Sequence, residues 1–405
     1  MLMPAVPHAQ LPTLGDGSEM SASAERKLGE RIARELYRDP DYIDDPVIVE
    51  YVQGIWQPLL AAARQRGELG TELEQRFAWE IFLGKDRSIN AFALPGGYLG
   101  LHLGLVAAVA NRDELASVLA HELSHVTQRH ISRLMTQQNR QTPWVVGAMI
   151  LGAIAASKNP DAANAVVAGG QALAVQNQLN FSRDMEREAD RVGMGLMEPA
   201  GFAPEGFVGM FDKLQQANRI NDNGSWPYLR SHPLTTQRIA DMQSRLPSGG
   251  LTASSPSVLQ AEHAMVTARA RVLSGPGVDA LRARVAEASS AALPGQSPAR
   301  QAGALYGAAL ASLKLRDTAQ AGQLAAGLAA LTRADAAGTR LARLLVAEIA
   351  LAEGNDADAL ALAERALEIL ERVRRLPCVA GMLGHGPVHP LGVVLPHAGD
   401  DRRGQ

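Results

Sequence analysis

Two histidines four residues apart with a glutamate after the first, His121-Glu122-Leu123-Ser124-His125, constrain this chain more than any other feature in it. Side chains at i and i+4 come within reach of one point on the same face of an α-helix and in no other regular structure. With ten His in 405 residues, such a pattern arises by chance in about one or two sequences in a hundred of this composition, so its helical setting decides its meaning. The setting is helical. From Asp113 onward, Leu115, Val118, Leu119, Val126 and Leu134 recur at helical spacing, which predicts one long helix carrying both imidazoles.

Two imidazoles on one helical face form half of a metal site. The chain has a single cysteine, Cys378, which excludes an internal disulfide and a cysteine-rich site, so the remaining ligands must be His or carboxylate. A catalytic zinc takes three protein ligands and keeps its fourth position for water, which calls for one more donor. Glu186 is the best candidate, on a helix expected over residues 176–197 and interrupted by Pro199 and Gly201. Asp190 lies one turn further along the same face, where it would orient a ligand or relay protons. Glu188 points about 200° away from Glu186 on a helical wheel and reads as a solvated charge. Glu122, beside the metal, becomes the general base. His232, in Ser231-His232-Pro233-Leu234, is by residue type a turn histidine.

At 405 residues the chain exceeds one ordinary core of about 100–200 residues, so two domains are expected. Hydrophobic residues make up 46% and charged residues 20%, with 39 Lys+Arg against 42 Asp+Glu. That balance excludes a disordered polyelectrolyte and a purely electrostatic nucleic-acid binder. Residues 1–20 read as a residual leader and loop: the small-residue step Ala9-Gln10 is like an export cleavage region, though the basic and apolar parts of a leader are missing. Two helices follow, over residues 24–38 and 46–66, with Asp44 and Asp45 as capping candidates. Residues 77–84, 89–94 and 98–103 predict a small antiparallel sheet turned at Pro95-Gly96-Gly97, with Asn90 to Leu94 as an edge strand. An edge strand can pair with a bound peptide, which makes Asn90, Ala91, Phe92 and Ala93 candidate substrate-binding residues, an ordinary buried strand being the alternative. The apolar stretch 143–156 is shorter than the ~20 residues that cross a bilayer as a helix. It reads as a buried core helix by default, with a lid or a peripheral membrane contact as the alternative.

The expected organisation is therefore an α+β first domain over residues 21–248, a linker over 249–256, an all-α helical-repeat domain over 257–375, and an irregular, Gly- and Pro-rich tail over 376–405. The repeat assignment rests on self-similarity at an offset of 38, close to a tetratricopeptide hairpin with a longer loop. His385, His389 and His397 in the tail are too irregularly spaced for a metal site.

His-Glu-x-x-His, followed by Glu186-Arg187-Glu188-Ala189-Asp190 and preceded by Asn90-Ala91-Phe92-Ala93-Leu94-Pro95-Gly96-Gly97, resembles the zinc peptidases that include the HtpX heat-shock protease and the CAAX prenyl protease. The Ser-His-Pro-Leu element and the C-terminal repeats narrow the resemblance to periplasmic members that act in outer-membrane β-barrel assembly. It covers about residues 11–370. The resemblance implies a mainly helical zincin-type domain, one Zn²⁺ per chain held by His121, His125 and Glu186, and Asp190 behind them or donating a proton. It also implies that His232 occupies the open position and holds the enzyme latent. The implied partners are unfolded or stalled outer-membrane proteins, the β-barrel assembly machinery and the lipopolysaccharide-transport barrel, and the implied compartment is the periplasm. The rival reading is a repeat-based adaptor or chaperone with a closed structural zinc site.

Overall fold

The computed structural model describes residues 20–137, 183–219, 227–246 and 257–374. The expected leader, the 143–156 stretch, the start of the Glu186 helix, the linker and the tail lie outside the described residues.

Helices α1 (Ala22–Arg38) and α2 (Pro46–Gln65) open the chain. Of the two capping candidates it is Asp45 that closes α2, its carboxylate accepting from the Ile48 N–H at 3.0 Å while Pro46 takes the first helical position. After α3 (Thr71–Arg76) come three strands, β1 (Glu80–Gly84), β2 (Ala91–Leu94) and β3 (Tyr98–His102). The sheet differs from the expected antiparallel one. Its order is β1-β3-β2, with β2 antiparallel but β1 parallel to β3. Only β2 and β3 are joined by a tight turn, in which Gly96 and Gly97 adopt φ of 75° and 84°, angles that side chains disfavour. The Lys85 to Asn90 connection is longer and carries the chain past the position that β3 later fills. A continuous core nevertheless forms on the α+β plan expected from the sequence.

Helices α4 (Leu103–Ala108) and α5 (Arg112–Thr127) follow, then α6 (His130–Gln137), α7 (Arg183–Met197), α8 (Glu205–Arg219), α9 (Tyr228–Ser231) and α10 (Thr236–Arg245). Helix α5 packs against α7, α8, α2 and β2, and every residue from Asp113 to Thr127 is buried. It has no solvated face, which is the mark of a helix at the centre of a fold. The predicted long helix is in fact two. Arg129 at φ 52° breaks it, so Leu134 belongs to α6 and not to the face that carries Leu115.

The C-terminal part is all-helical: α11 (Ser257–Leu273), α12 (Val278–Ala288), α13 (Pro298–Lys314), α14 (Thr318–Leu331), α15 (Ala336–Ala352) and α16 (Asp356–Arg374). Helices α13 and α15 begin 38 residues apart, as do α14 and α16. The sequence self-similarity thus appears as two successive helical hairpins. Helix α11 packs on α4, α2 and α5. There the buried Arg269 guanidinium grips both oxygens of Asp45 at 2.6 to 3.0 Å and reaches Glu348 at 2.8 Å. Among the described residues no helix is long and apolar enough to cross a membrane.

Candidate metal centre

The site grows from α5. Asn111 caps it, accepting from the Glu114 N–H at 2.8 Å, and successive turns then aim His121 and His125 to one side, with their Nε2 atoms 3.0 Å apart. Helix α7 brings Glu186 against them. A Cβ on Gly193 would meet the Ala120 backbone at 3.0 Å, so a glycine is what lets the two helices approach closely at this crossing. Glu186 Oε1 lies 3.4 Å from His125 Nε2, and Oε2 lies 3.5 Å from His121 Nε2.

The chain returns through α9, and His232 at its end enters the same cluster. His232 Nδ1 is 3.0 Å from Glu186 Oε1 and 3.3 Å from His121 Nε2, while its Nε2 is 3.4 Å from Glu122 Oε1. Tyr228 stacks on the ring with centroids 4.5 Å apart, and its backbone N–H donates to Ile89 O at 3.3 Å, tying this segment to the approach to β2. One donor atom from each of His121, His125, Glu186 and His232 lies within 4.8 Å of the others, and all four residues are buried.

Behind the donors sit groups that set their charge and direction. Asp190 Oδ1 faces His121 Nδ1 at 3.0 Å. Arg238 donates to both Asp190 oxygens at 2.6 and 2.7 Å, lies 2.8 Å from Glu186 Oε2, and donates to Pro233 O at 2.9 Å. Burial opposes charge on His121, but Asp190 and Glu186 outweigh it and push the ring up to about 10. Burial raises the Glu186 carboxyl, and the surrounding imidazoles, His232 foremost, overcome this and hold it well below the usual range. Asp190 is likewise depressed, against burial, by Arg238 and His121. Burial pushes His125 well down, and His130 to about 4. A field that holds a proton on His121 also favours a divalent cation at the same point.

Sequence reasoning missed three of these groups. Arg238 occupies the first turn of α10, where the helix dipole disfavours a cation; that misfit was the available signal for a specific anionic partner. Tyr228 carried no signal. His130 reaches His125 only because Arg129 turns the chain back, and the two Nδ1 atoms lie 2.8 Å apart. Glu188, read from the wheel as a solvated charge, is partly buried and accepts from His130 Nε2 at 3.1 Å and Arg133 at 2.8 Å. The wheel considered only its own helix, whereas α6 supplies the partners.

Asn90, Ala91, Phe92 and Ala93 are not in the cluster; Asn90 precedes β2 and the other three run along it, and β2 contacts α5. Among the described residues β2 pairs with β3 on one side only. His102 N–H donates to Asn90 O, and with Ala91 opposite Leu101 the alternation of an antiparallel ladder points the backbone groups of Ala91 and Ala93 away from β3. The Phe92 ring lies over Gly100, within 2.1 Å of where a Cβ would stand.

Three imidazoles and one carboxylate match the ligand types of a tetrahedral metal site. Both Glu122 oxygens are buried beside them with no hydrogen-bond partner, an expensive arrangement for a carboxylate unless something else at the site takes up its charge. Residues 57–246 match the model of peptidase family M48. The chain is 35% identical over 238 residues to a putative β-barrel assembly-enhancing protease of Vibrio cholerae, covering 58% of this chain and 47% of the relative. It is 32% identical over 269 residues to the β-barrel assembly-enhancing protease of Escherichia coli, covering 65% and 51%. A mitochondrial metalloendopeptidase of Saccharomyces cerevisiae is 27% identical over 201 residues, covering 48% and 55%. The chain spans about half the length of these relatives.

Proposed function

We propose that this chain, which carries a peptidase family M48 domain over residues 57–246, is a zinc-dependent periplasmic endopeptidase that acts on misassembled or stalled outer-membrane β-barrel proteins and is kept latent by His232. The observation that carries this reading is the buried four-donor cluster beside a Glu122 carboxylate that makes no hydrogen bond. The chemistry that zinc would supply when bound is polarisation of a scissile carbonyl and lowering of a water's pKa toward ~7.

The residues divide the remaining work. His121, His125 and Glu186 hold the ion. Glu122 takes a proton from the attacking water and passes it to the leaving amine. Asp190 stands 3.0 Å behind His121 Nδ1, which favours the proton there and turns the Nε2 lone pair to the cluster, and Arg238 keeps Asp190 ionised while lying 2.8 Å from Glu186. The outward backbone groups of Ala91 and Ala93 extend the sheet with a substrate strand, a mode suited to unpaired strands of unfolded barrels. His232 sits between Glu186 and Glu122, in the space a substrate and its water need, so cleavage requires its withdrawal.

The hairpins of α13 to α16 are of tetratricopeptide type and provide partner contacts for the β-barrel assembly machinery and the lipopolysaccharide-transport barrel, together with chaperone-like holding of substrates. A second reading, an adaptor with a closed structural zinc site, is favoured by one observation: His232 completes four buried ligands. Zinc stoichiometry and cleavage of an unfolded outer-membrane barrel by the parent, Glu122→Gln and His232→Ala decide between them. One zinc per chain, with cleavage raised in His232→Ala and lost in Glu122→Gln, is expected. One zinc without cleavage in any variant supports the adaptor, and no zinc overturns both.

A further inference from the structure

Behind the donor His125 runs a chain of groups, His130 to Glu188 to Arg133, that lies outside the donor cluster and outside the roles given above. His125 faces the cluster with Nε2 and turns Nδ1 to His130 Nδ1 at 2.8 Å. At that distance one nitrogen must donate and the other accept. The far nitrogen of His130 meets Glu188 Oε2 at 3.1 Å, and the same oxygen accepts from Arg133 Nη1 at 2.8 Å. A carboxylate oxygen paired with a guanidinium only accepts, so the proton of the neutral His130 ring belongs on Nε2. His130 Nδ1 then presents a lone pair, His125 Nδ1–H donates into it, and the lone pair of His125 falls on Nε2, the nitrogen that faces the cluster.

We infer that, given the zinc site proposed above, His130 is a positioning residue: anchored by Glu188 and Arg133, it fixes the tautomer and ring direction of His125 so that Nε2 is presented to the ion. The same logic serves both histidines of α5 with different parts. His121 Nδ1 has a carboxylate, Asp190, directly behind it; His125 Nδ1 has a second imidazole, which relays the Glu188 carboxylate at one remove. The relay exists only because Arg129 takes up φ 52° and folds α6 back over the end of α5. Arg129 is held there by Glu25 Oε2 at 3.1 Å. Hydrogen bonds behind a ligating histidine are worth about 10- to 100-fold in metal affinity.

The test uses the full-length protein, stripped of metal and titrated with zinc against a chromophoric chelator. His130→Phe keeps a ring of similar size but cannot accept a hydrogen bond, and is expected to weaken zinc binding by about 10- to 100-fold. His130→Asn, whose Oδ1 stands where Nδ1 stood, is expected to recover affinity to within a few-fold of the parent. Glu188→Ala, at a partly exposed position, is expected to weaken binding less than His130→Phe does, and it decides the matter if His130→Phe does not fold. Parental zinc binding with unchanged affinity in both His130→Phe and Glu188→Ala overturns the positioning role while leaving the zinc site standing. A loss in His130→Phe that His130→Asn does not recover also overturns it, because packing alone then explains the loss. A parent that binds no zinc overturns the site itself, and the relay with it.

Discussion

Glu122 and Arg238 show how much of this site is decided by single side chains with nowhere else to go. Glu122 is fully buried and neither oxygen makes a hydrogen bond, its nearest charged neighbour being His232 Nε2 at 3.4 Å, so its carboxylate is placed to act on whatever the site binds. Glu122→Gln should retain one zinc per chain and lose cleavage, a split that elemental analysis and a cleavage assay read separately. Arg238 is buried among three carboxylate oxygens. Removing one partner from such a set leaves charges without compensation at a cost of about 3–5 kcal/mol. Arg238→Met should therefore lower the unfolding free energy of the metal-free protein by that order, read as a fall in the urea midpoint, and an unchanged midpoint would mean that the guanidinium does not hold the carboxylates together.

Elements place these residues through their crossings and edges. The α5 to α7 crossing depends on Gly193, because any larger residue pushes α7 away from the Ala120 backbone and carries Glu186 with it. Gly193→Val should leave the helical content by circular dichroism close to that of the parent while reducing zinc affinity at least tenfold, since a displaced ligand loses its bond geometry. The edge of β2 provides the other case. Proline is tolerated where a strand's N–H faces away from the sheet, and the Ala93 N–H does so. Ala93→Pro should therefore fold normally and raise KM for an unfolded barrel substrate by roughly an order of magnitude through one lost sheet bond and a blocked edge. An unchanged KM would remove β2 as the substrate strand.

At the scale of the whole molecule, the peptidase part and the C-terminal helices share polar contacts that neither could satisfy alone. Arg269 joins Asp45 to Glu348, Arg340 reaches Glu50 at 2.6 Å, and the Tyr51 hydroxyl meets His263 Nδ1 at 2.6 Å. The other nitrogen of His263 donates to Val109 O at 3.2 Å. Its ring is thus held neutral, and burial pushes it down to about 4. The unfolded chain, with an ordinary histidine near 6.5, binds more protons between those values, so stability falls as pH drops from about 6.5 to 4. His263→Gln should remove one proton's share of that slope, measured as the urea midpoint against pH; an identical slope would mean that His263 is not buried neutral.

Much of the site could be read from residue spacing alone. The i and i+4 histidines, the need for a carboxylate donor in a chain with one cysteine, and the helical face that carries both Glu186 and Asp190 all follow from helix geometry and ligand chemistry, which are local. The helical hairpins were legible for the same reason, as a 38-residue repeat. The parallel pairing of β1 was not, because strand neighbours depend on where a connection passes, and nothing in six loop residues records that. Nor were the partners of Glu188 or the counter-charge of Arg238 legible, since each is created by a second element arriving from far along the chain, and the reach of His130 depends on a left-handed turn at Arg129 that no glycine signals. A sequence states which groups a helix can offer along one face; which of them are buried, paired and aimed at one point is decided when the elements pack, because desolvation and close approach are properties of the assembled core.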